Sequence, residues 1–368
     1  MGTNILCSMV ILITGGCGFI GSNFIRVLLK TREDVQVINV DKLTYAGNLA
    51  NLLDVEAHFS ARYQFIRGDI ADKDFVREVF EKSDPDWIVH FAAESHVDRS
   101  ILEPEDFIRT NIYGTYNLLE FSRMVWPLKD PRSLAKKRFL QISTDEVYGS
   151  LGETGFFTEQ SPYDPSSPYS ASKAASDHLA KAYFRTYGLP VIITNSSNNY
   201  GPYQFPEKLI PLTITNARKG VELPVYGDGK NVRDWIFVED HCRALLCVLD
   251  KGTPGECYNI GGHCEKENIE VVHTICDLLD ERLGFTKDRP RRDLIKFVTD
   301  RPGHDRRYAI DPSKIKTLGW QPLISFEEGI RSTIEWLLEN IPWVEDILDG
   351  TYRDYYKKQY GESVNGHP

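Results

Sequence analysis

The most constraining feature of this 368-residue sequence is the segment "MVILITGGCGFIGSNFIRVLLKT", in which a short apolar run meets a glycine-rich turn and then a helical pattern. Gly15, Gly18 and Gly21 have the spacing that allows a tight turn, close approach of a pyrophosphate to the backbone, and close packing of helix on strand. The N-terminus of the helix then faces the bound anion. The segment therefore predicts a dinucleotide-binding unit at the start of the fold.

An acidic residue narrows the choice of dinucleotide. Asp41 closes the next apolar run, 20 positions after Gly21. A carboxylate in this place accepts a hydrogen bond from a ribose 2′-hydroxyl and repels a 2′-phosphate, so it favours NAD over NADP. The alternative is a glycine-rich turn without a ligand, because a glycine triplet alone is a weak signal. The strand, the helix and the acid together favour NAD.

Apolar, β-branched runs recur between helix-length segments in the first 200 residues. They are "MVILIT", "VQVINV", "YQFIRGDI", "WIVHFAA", "RFLQIS" and "PVIITN". Runs without strict alternation indicate parallel strands that are covered on both faces. The predicted fold class is therefore α/β, a doubly wound parallel sheet of the Rossmann type, with a smaller C-terminal α/β lobe that binds substrate.

The composition of the sequence changes after about residue 200, where loops rich in proline and glycine appear. We expect an extension at residues 1–8, an NAD-binding domain at 9–200, a nucleotide-sugar-binding lobe at 201–355 and a tail at 356–368. Some later segments, about 234–262, are expected to return to the first domain, because "ECYNIGG" has the character of a further strand. A helix is predicted to begin after Ser325, a suitable N-cap.

Charge and cysteine usage exclude several classes of function. The formal net charge is -10 and no block of Lys or Arg offsets it, so neither nucleic acid nor an anionic membrane is an expected partner. The seven cysteines form no Cys-x-x-Cys pair, so no metal site is predicted and a reducing cytoplasm fits best. The kind of partner that remains is a small-molecule substrate.

A tyrosine and a lysine form a candidate proton-transfer pair. In "YSASK", Tyr169 and Lys173 lie four residues apart, on one face of a predicted helix. An ammonium group near the phenol lowers its pKa, so that the tyrosine can take a hydroxyl proton while hydride leaves the same carbon. The segment "YGDGK", Tyr226 to Lys230, has the same spacing. Because it lies in a glycine-rich loop without a helical face, we do not predict catalysis there.

Polar residues also follow the third and fifth predicted strands. Asp69 comes directly after the third, where it could face adenine or simply form a turn. Thr144, Asp145 and Glu146 in "STDEVYG" follow the fifth, whose carboxyl end should open on the cofactor crevice. Alone they would suit a hydrogen-bonded turn. With NAD and a tyrosine base predicted nearby, we interpret them as groups that position substrate and transfer protons.

Together these motifs resemble the extended short-chain dehydrogenase/reductase family, and within it the dTDP-glucose 4,6-dehydratases. The similarity runs from about Val10 to at least Leu338. The segments that carry it include "DKLTYAGN", "FAAESHVDRSI", "STDEVYG", "PYSASKAASDH", "SNNYGP", "GDGKNVRDWIFVEDH" and "DRPGHDRRYAID". The resemblance implies an NAD-dependent lyase of deoxysugar biosynthesis, for rhamnose or another deoxysugar. It also implies a homodimer paired through the helices at residues 103–125 and after Tyr169.

The same resemblance implies a mechanism. C4 of the glucosyl ring is oxidised while Tyr169 takes the hydroxyl proton, Lys173 holds the tyrosine and the ribose, and Thr144 positions the same oxygen. Glu146 then removes the acidified C5 proton, and Asp145 protonates the C6 hydroxyl as it leaves as water. Two neighbouring carboxyl groups can serve as acid and base only if their environments separate their pKa values. Hydride finally returns to C6.

Residue-by-residue resemblance implies two contact sets. The cofactor set is Gly15, Gly18, Phe19, Ile20, Gly21, Asp41, Lys42, Leu43, Thr44, Asp69, Ile70, Ala92, Ala93, Ser95, Thr110, Tyr169, Lys173 and Asn199. The substrate set is Ser95, Thr144, Asn198, Lys208, Leu209, Pro224, Tyr226, Arg233, Asn268, Asp300, Arg301 and His304. In the second set, Arg233 suits a pyrophosphate because its guanidinium presents a fixed fork of donors. Cys17 and Ser197 depart from the alanine and cysteine common in this family, and both are small enough to cost little.

Other enzymes of the family are the nearest alternatives. A 4-epimerase would leave the Asp145–Glu146 pair idle, and a UDP-glucuronate decarboxylase would need a site for a sugar carboxylate. The acid pair thus favours dehydration, while dTDP and UDP remain open as the nucleotide. A catalytically silent NAD-binding regulator is a further alternative. Such proteins typically lack a proton-transfer residue, whereas all five predicted catalytic residues are present here.

Overall fold

The computed structural model describes residues 9–285, 289–300 and 304–348. The predicted extension at residues 1–8, the predicted tail at 356–368 and Arg301 lie outside the described residues. The strands are β1 (Met9–Thr14), β2 (Val35–Asp41), β3 (Tyr63–Arg67), β4 (Trp87–His90), β5 (Arg138–Thr144), β6 (Val191–Ser196), β7 (Asn198–Tyr200), β8 (Leu223–Tyr226), β9 (Val232–Phe237), β10 (Cys257–Ile260), β11 (Glu265–Glu267) and β12 (Ile295–Val298).

A seven-stranded sheet forms the centre of the molecule, in the order β10-β6-β5-β4-β1-β2-β3. Every neighbouring pair in it is parallel. All six predicted runs become strands of this sheet, which confirms the doubly wound α/β class. The order reverses between β1 and β4, and such a switch point opens a crevice at the carboxyl ends of the strands.

Helices cover the sheet and build the second lobe. They are α1 (Phe19–Thr31), α2 (Leu53–Phe59), α3 (Lys73–Ser83), α4 (Val97–Leu102), α5 (Pro104–Phe107), α6 (Thr115–Val125), α7 (Pro131–Leu134), α8 (Pro168–Tyr187), α9 (Leu209–Lys219), α10 (Val238–Lys251), α11 (Asn268–Leu283), α12 (Ser313–Lys316), α13 (Phe326–Glu339) and α14 (Ile341–Leu348). The Ser325 side chain accepts from the backbone N–H of Glu328, so the predicted N-cap of α13 is confirmed. None of the helices in the described ranges is long and apolar enough to cross a membrane.

The helix expected at residues 103–125 extends from Pro104 to Val125 and contains one stretch of wider geometry. The stretch Ile108–Gly114, between α5 and α6, has π-helical geometry. Its wider turn places Asn111 where the side-chain amide donates to the carbonyl of Glu94 at 3.0 Å and to Ser172 Oγ at 2.8 Å. Short π segments are frequent at functional sites, and this one anchors the loop after β4 to α8.

The second lobe begins almost where the large sheet ends. Strand β7 follows β6 after one residue and pairs with β9 in a three-stranded sheet that also contains β11. A two-stranded pair, β8 and β12, lies beyond it. Helices α9, α11 and α13 pack around a core of their own that includes Ile210, Val272 and Ile334. The second lobe therefore begins at the edge of the crevice, directly after β6.

Candidate active site

A cleft of about 320 Å³ lies at the carboxyl ends of the strands. Of the predicted cofactor residues, those that line it are Gly15, Gly18, Phe19, Ile20, Gly21, Asp41, Lys42, Thr44, Asp69, Ile70, Ala92, Ala93, Ser95, Thr110, Tyr169, Lys173 and Asn199. The catalytic residues Thr144, Asp145 and Glu146 line the same cleft. A single cavity thus gathers the dinucleotide motif and the proton-transfer motif. Leu43 alone of the predicted cofactor set does not line it.

The glycine turn packs closely against neighbouring backbone because side chains are missing. Gly15 has φ +75°, and a Cβ there would meet the backbone nitrogen of Ala92 at 2.5 Å. A Cβ on Gly21 would meet the carbonyl oxygen of Gly15 at 2.4 Å. Gly18 caps α1 without a side-chain hydrogen bond, so the first N–H groups of the helix face the cleft. These features fit the pyrophosphate of a dinucleotide.

Asp41 is held rigidly at the end of β2. Its Oδ2 accepts from the backbone N–H of Cys17 at 2.9 Å, and its Oδ1 accepts from that of Leu43 at 2.8 Å. Burial raises the pKa of this carboxyl, and the two backbone donors oppose that rise. The carboxyl therefore ties the glycine turn to the loop after β2, in the place where a ribose would lie.

A second acid marks the other side of the cofactor half. Lys42 Nζ lies 2.9 Å from Asp69 Oδ2, and Arg109 lies 3.8 Å from the same oxygen. Burial alone would raise the pKa of Asp69, but the N–H of Ala71 and the charge of Lys42 lower it below its ordinary value. Asp69 is therefore an anion at the rim of the cleft.

The catalytic turn starts where β5 ends. Thr144 caps the 3₁₀ helix Asp145–Tyr148, and its Oγ1 accepts from the N–H of Glu146 at 3.3 Å. The same hydroxyl lies 3.4 Å from Asp145 Oδ1. A threonine followed by two acids thus folds locally as an N-cap, and this cap brings the hydroxyl and both carboxyl groups to the cleft.

The two neighbouring acids lie in different environments. Asp145 is only 2% exposed, and within the described part of the chain its Oδ2 has no hydrogen-bond partner. Burial, together with the nearby charges of Glu146 and Asp234, raises the pKa of Asp145 well above its ordinary value. Glu146 is half-buried. Within this pair, Asp145 is therefore favoured as a proton donor, and Glu146 reaches solvent.

Tyr169 and Lys173 share one face of α8, as predicted from their spacing. Lys173 Nζ donates to the carbonyl of Ile142 at 2.6 Å. Burial and the charge of Glu146 raise the pKa of Tyr169, and a hydrogen bond with Thr144 lowers it. Desolvation is therefore the largest influence on the phenol, and Thr144 supplies an opposing contact.

The predicted substrate residues fall into two groups. Ser95, Thr144, Asn198 and Lys208 line the cleft. Leu209, Pro224, Tyr226, Arg233, Asn268, Asp300 and His304 do not line it and belong to the second lobe. Tyr226 ends strand β8 and is followed by the turn at Gly227, so the second Tyr-x-x-x-Lys match has no helical face, as predicted.

Arg233 is a buried cation of the second lobe. It is buried, its guanidinium stacks 4.4 Å from the ring centroid of Tyr308, and its Nη2 donates to the carbonyl of Asp305 at 2.9 Å. Its charge also lowers the pKa of Asp145, against the stronger effect of burial. The arginine thus lies near the acid pair and is not an exposed surface residue.

Several cleft residues were not predicted from the sequence, among them Tyr45, Gln204, Phe205 and Glu207. Glu207 is the most unusual of them chemically. Its side chain is buried, and burial raises its pKa to about 7, against the lowering effect of Lys208. The signal that could have revealed it is "FPEKLI", where an acid precedes a predicted substrate lysine.

Comparisons with known proteins agree with this geometry. Residues 12–333 match the family model described as GDP-mannose 4,6 dehydratase. A dTDP-glucose 4,6-dehydratase of Xanthomonas campestris is 58% identical over 344 residues, which cover 93% of this chain and 97% of that protein. The structure of a Streptomyces venezuelae dTDP-glucose 4,6-dehydratase with NAD and TYD bound has a TM-score of 0.84 at 46% identity and covers 92% of this chain and 100% of that one. The Bacillus anthracis dTDP-glucose 4,6-dehydratase in complex with NAD has a TM-score of 0.80 at 48% identity, with the same coverage.

Proposed function

The chain belongs to the dTDP-glucose 4,6-dehydratase family, and from that premise we propose how its residues share the reaction. The enzyme is an NAD-dependent hydro-lyase that converts dTDP-glucose to the 4-keto-6-deoxy sugar. The observation that carries the assignment of roles is the pair of unequal acids at the end of β5. Asp145 is buried with a raised pKa, and Glu146 beside it is half-buried.

Residues of the first domain hold the cofactor. Gly15 and Gly21 let the turn pack tightly so that the pyrophosphate can lie at the N-terminus of α1, and Asp41 accepts from the ribose of the adenosine half. When bound, NAD supplies the acceptor for the hydride from C4 and, once reduced, the donor of the hydride to C6. Lys173, at the base of the cleft, binds the ribose next to the nicotinamide.

The first proton transfer falls to Tyr169. It takes the proton of the C4 hydroxyl as the hydride leaves C4, and Thr144 holds the same oxygen through its hydroxyl. The hydrogen bond between Thr144 and Tyr169 lowers the pKa of the phenol toward the working range. The product of this step is a 4-keto sugar, whose C5 proton is acidified by the new carbonyl.

The elimination uses both acids. Glu146 removes the C5 proton, and the electron pair of that C–H bond forms the C5–C6 double bond while the C6–oxygen bond breaks. Asp145 gives its proton to the departing hydroxyl, which leaves as water. Glu146 then returns its proton to C5 as hydride adds to C6, so Tyr169 ends with one proton more and Asp145 with one fewer.

The second lobe is proposed to hold the nucleotide half of the substrate. Arg233 binds the pyrophosphate through its fork of donors. Tyr226 and His304 approach each other with ring centroids 6.1 Å apart, and His304 Nδ1 lies 2.6 Å from Asp300 Oδ1. This group forms the wall for the base and deoxyribose. The proposed division of the chain is accordingly a cofactor domain at 9–200 and a substrate lobe at 201–355. Helix α10 and strand β10 come later in the chain but belong to the cofactor domain.

Assembly and location are further parts of the proposal. Apolar side chains are exposed along the helices from α4 to α8: Ile101, Leu102, Ile108, Tyr113, Met124, Val125 and Tyr187. A second copy of the chain would cover this face, so we infer a homodimer through these helices. Light scattering of an Ile108→Glu variant should then give the mass of a monomer. The six cysteines of the described residues are free, which suits the cytoplasm.

A substrate panel tests the proposed function. The purified protein is incubated with dTDP-glucose, UDP-glucose and their galactose epimers, and 4-keto sugar and NAD are measured at the end. We expect 4-keto-6-deoxy product from dTDP-glucose with all NAD recovered in its oxidised form. Formation of the galactose epimer without a keto sugar would favour a 4-epimerase, and no reaction with any sugar would overturn the enzyme assignment.

A further inference from the structure

A third charged residue continues the catalytic face of α8. Tyr169, Lys173 and Asp177 follow one another at intervals of four residues, so their side chains lie on the same side of the helix. Asp177 is 0% exposed and does not line the cleft. The proposed mechanism does not use it. A buried carboxylate normally has partners that offset its desolvation.

The partners of Asp177 belong to the catalytic turn and its supports. Ser143 Oγ donates to Asp177 Oδ2 at 2.6 Å, and the Tyr163 hydroxyl donates to the same oxygen at 3.2 Å. Asn195 Nδ2 lies 3.5 Å from the Tyr163 hydroxyl and donates to the carbonyl of Thr144 at 3.0 Å. Since Ser143 and Thr144 are adjacent, the contacts close a ring that ties α8 to the end of β5.

The second oxygen of the carboxyl lies outside this ring of contacts. Within the described ranges, Asp177 Oδ1 has no hydrogen-bond partner. Lys173 is 5% exposed, and its Nζ donates to the carbonyl of Ile142. Burial lowers the pKa of Lys173, and the charge of Asp177 is the opposing influence. Without such a charge, a desolvated lysine tends to lose its proton.

We propose that Asp177 is a positioning residue for the dehydratase, which keeps Lys173 in its ammonium form behind Tyr169 and fixes α8 to the catalytic turn. The inference rests on the proposed function, because it assigns a task to the carboxylate through Lys173 and Tyr169. Asp177 is fully buried outside the lining of the cleft. Its effect reaches the reaction through the charge of the lysine and the spacing of the two catalytic elements.

Other titratable groups that face Asp177 are few. Lys181 on the next turn of α8 and Tyr163 lower its pKa, whereas burial, the largest influence, raises it. Tyr148, Tyr169 and Cys257 are close enough for the carboxylate to raise their own pKa values. Lys173 is the buried cation of this group, so a change of charge at Asp177 acts mainly on it.

The test is the pH profile of kcat for an Asp177→Asn variant with dTDP-glucose. Loss of the charge should lower the pKa of Lys173 further, so that kcat falls about tenfold or more near pH 7, with little change in KM. The deficit should narrow as pH rises, because Lys173 of the wild-type protein then loses its proton as well. A rate within twofold of the wild-type rate at all pH values, or a loss by the same factor at all pH values, would overturn the inference.

A matched control distinguishes the loss of a charge near the active site from the loss of any buried carboxylate. Asp240 is also fully buried and accepts from the backbone N–H groups of Leu323 and Ile324 at 3.0 and 2.9 Å, away from the cleft. Asp240→Asn should lower the melting temperature and keep the wild-type pH profile. If it changes the profile as Asp177→Asn does, the effect is not specific to Lys173.

A second variant answers the question if Asp177→Asn does not fold. Tyr163→Phe removes one donor to Asp177, so the pKa of that carboxyl should rise and the acid limb of the kcat profile should move to higher pH by about half a unit. An unmoved acid limb would count against the inference. Wild-type protein that forms no keto sugar would instead refute the proposed function, so the two failures are distinguishable.

Discussion

The glycine turn at residues 15–21 and the catalytic turn at residues 143–149 both follow a buried parallel strand, yet they prepare for their ligands in opposite ways. The first works by leaving side chains out, since a Cβ on Gly15 or Gly21 would collide with backbone atoms. The second works by burying polar side chains, with Thr144 and Asp145 almost fully covered. The glycine turn should therefore respond to added volume, and the catalytic turn to lost protons and charges at constant volume.

The largest expected effect is on the elimination step. Asp145→Asn and Glu146→Gln keep the shape of the side chains but remove the proton donor and the base, so each should lower the rate of dehydration about a thousandfold. Oxidation at C4 uses Tyr169 and should survive, so NADH should accumulate on the enzyme after dTDP-glucose is added. Absorbance of NADH and release of keto sugar measure the two steps separately. Full dehydration rates in both variants would show that the acids have other roles.

The corresponding test of the glycine turn adds one methyl group. Gly15→Ala combines a strained φ of +75° with a contact at 2.5 Å, and should weaken NAD binding about a hundredfold. Gly152→Ala is the matched control, because nothing lies within 4 Å of a Cβ at that position. Titration with NAD by calorimetry measures both. Equal affinities for the two variants would mean that the turn does not hold the dinucleotide.

A smaller effect is expected at Thr144. Thr144→Val keeps the volume and removes the hydroxyl that lowers the pKa of Tyr169, so kcat should fall about tenfold. Thr144→Ser keeps the hydroxyl and should stay close to the wild-type rate. Steady-state rates over a range of pH measure both, and the valine variant should gain activity as pH rises. A serine variant as slow as the valine variant would attribute the role to the methyl group.

These two turns also differ in how much of them the sequence reveals. Gly15, Gly21 and Asp41 were predicted because a dinucleotide turn is local: its geometry depends on residue types at fixed spacing. Thr144, Asp145 and Glu146 were placed at the cleft by the same logic, since the carboxyl ends of parallel strands share one edge. The six strands predicted in the first 200 residues are confirmed, because runs of apolar, β-branched residues are also a local signal.

The parts that sequence did not predict depend on distant contacts. Tyr45 and Glu207 meet at the cleft although they are far apart in the chain, and no spacing rule connects them. The π-helical stretch Ile108–Gly114 depends on where Asn111 finds partners after folding. The direction of the pKa shift of Tyr169 depends on burial, which a helical spacing cannot supply. Tertiary packing decided each of these.

The smallest expected effect concerns the acid that was missed. The pKa of Glu207 is about 7, raised from an ordinary value of 4.5 mainly by burial. The folded state therefore holds a proton that the unfolded state releases, and stability falls as pH rises through this window, by about 3 kcal/mol in all. Glu207→Gln stays neutral, so it should melt about 3 °C above wild type at pH 8 and together with it near pH 4. The same difference in melting temperature between Glu207→Gln and wild type at both pH values would contradict the raised pKa of Glu207.

In the proposed mechanism, one hydride leaves C4 and returns to C6 of the same sugar while the two acids of the catalytic turn remove water. The most direct test uses dTDP-glucose with deuterium at C4 and follows the product by NMR. We predict deuterium at C6 of the 4-keto-6-deoxy sugar, with NAD recovered unlabelled in its oxidised form. Loss of the deuterium to solvent, or its return to C4 without a keto sugar, would contradict the account.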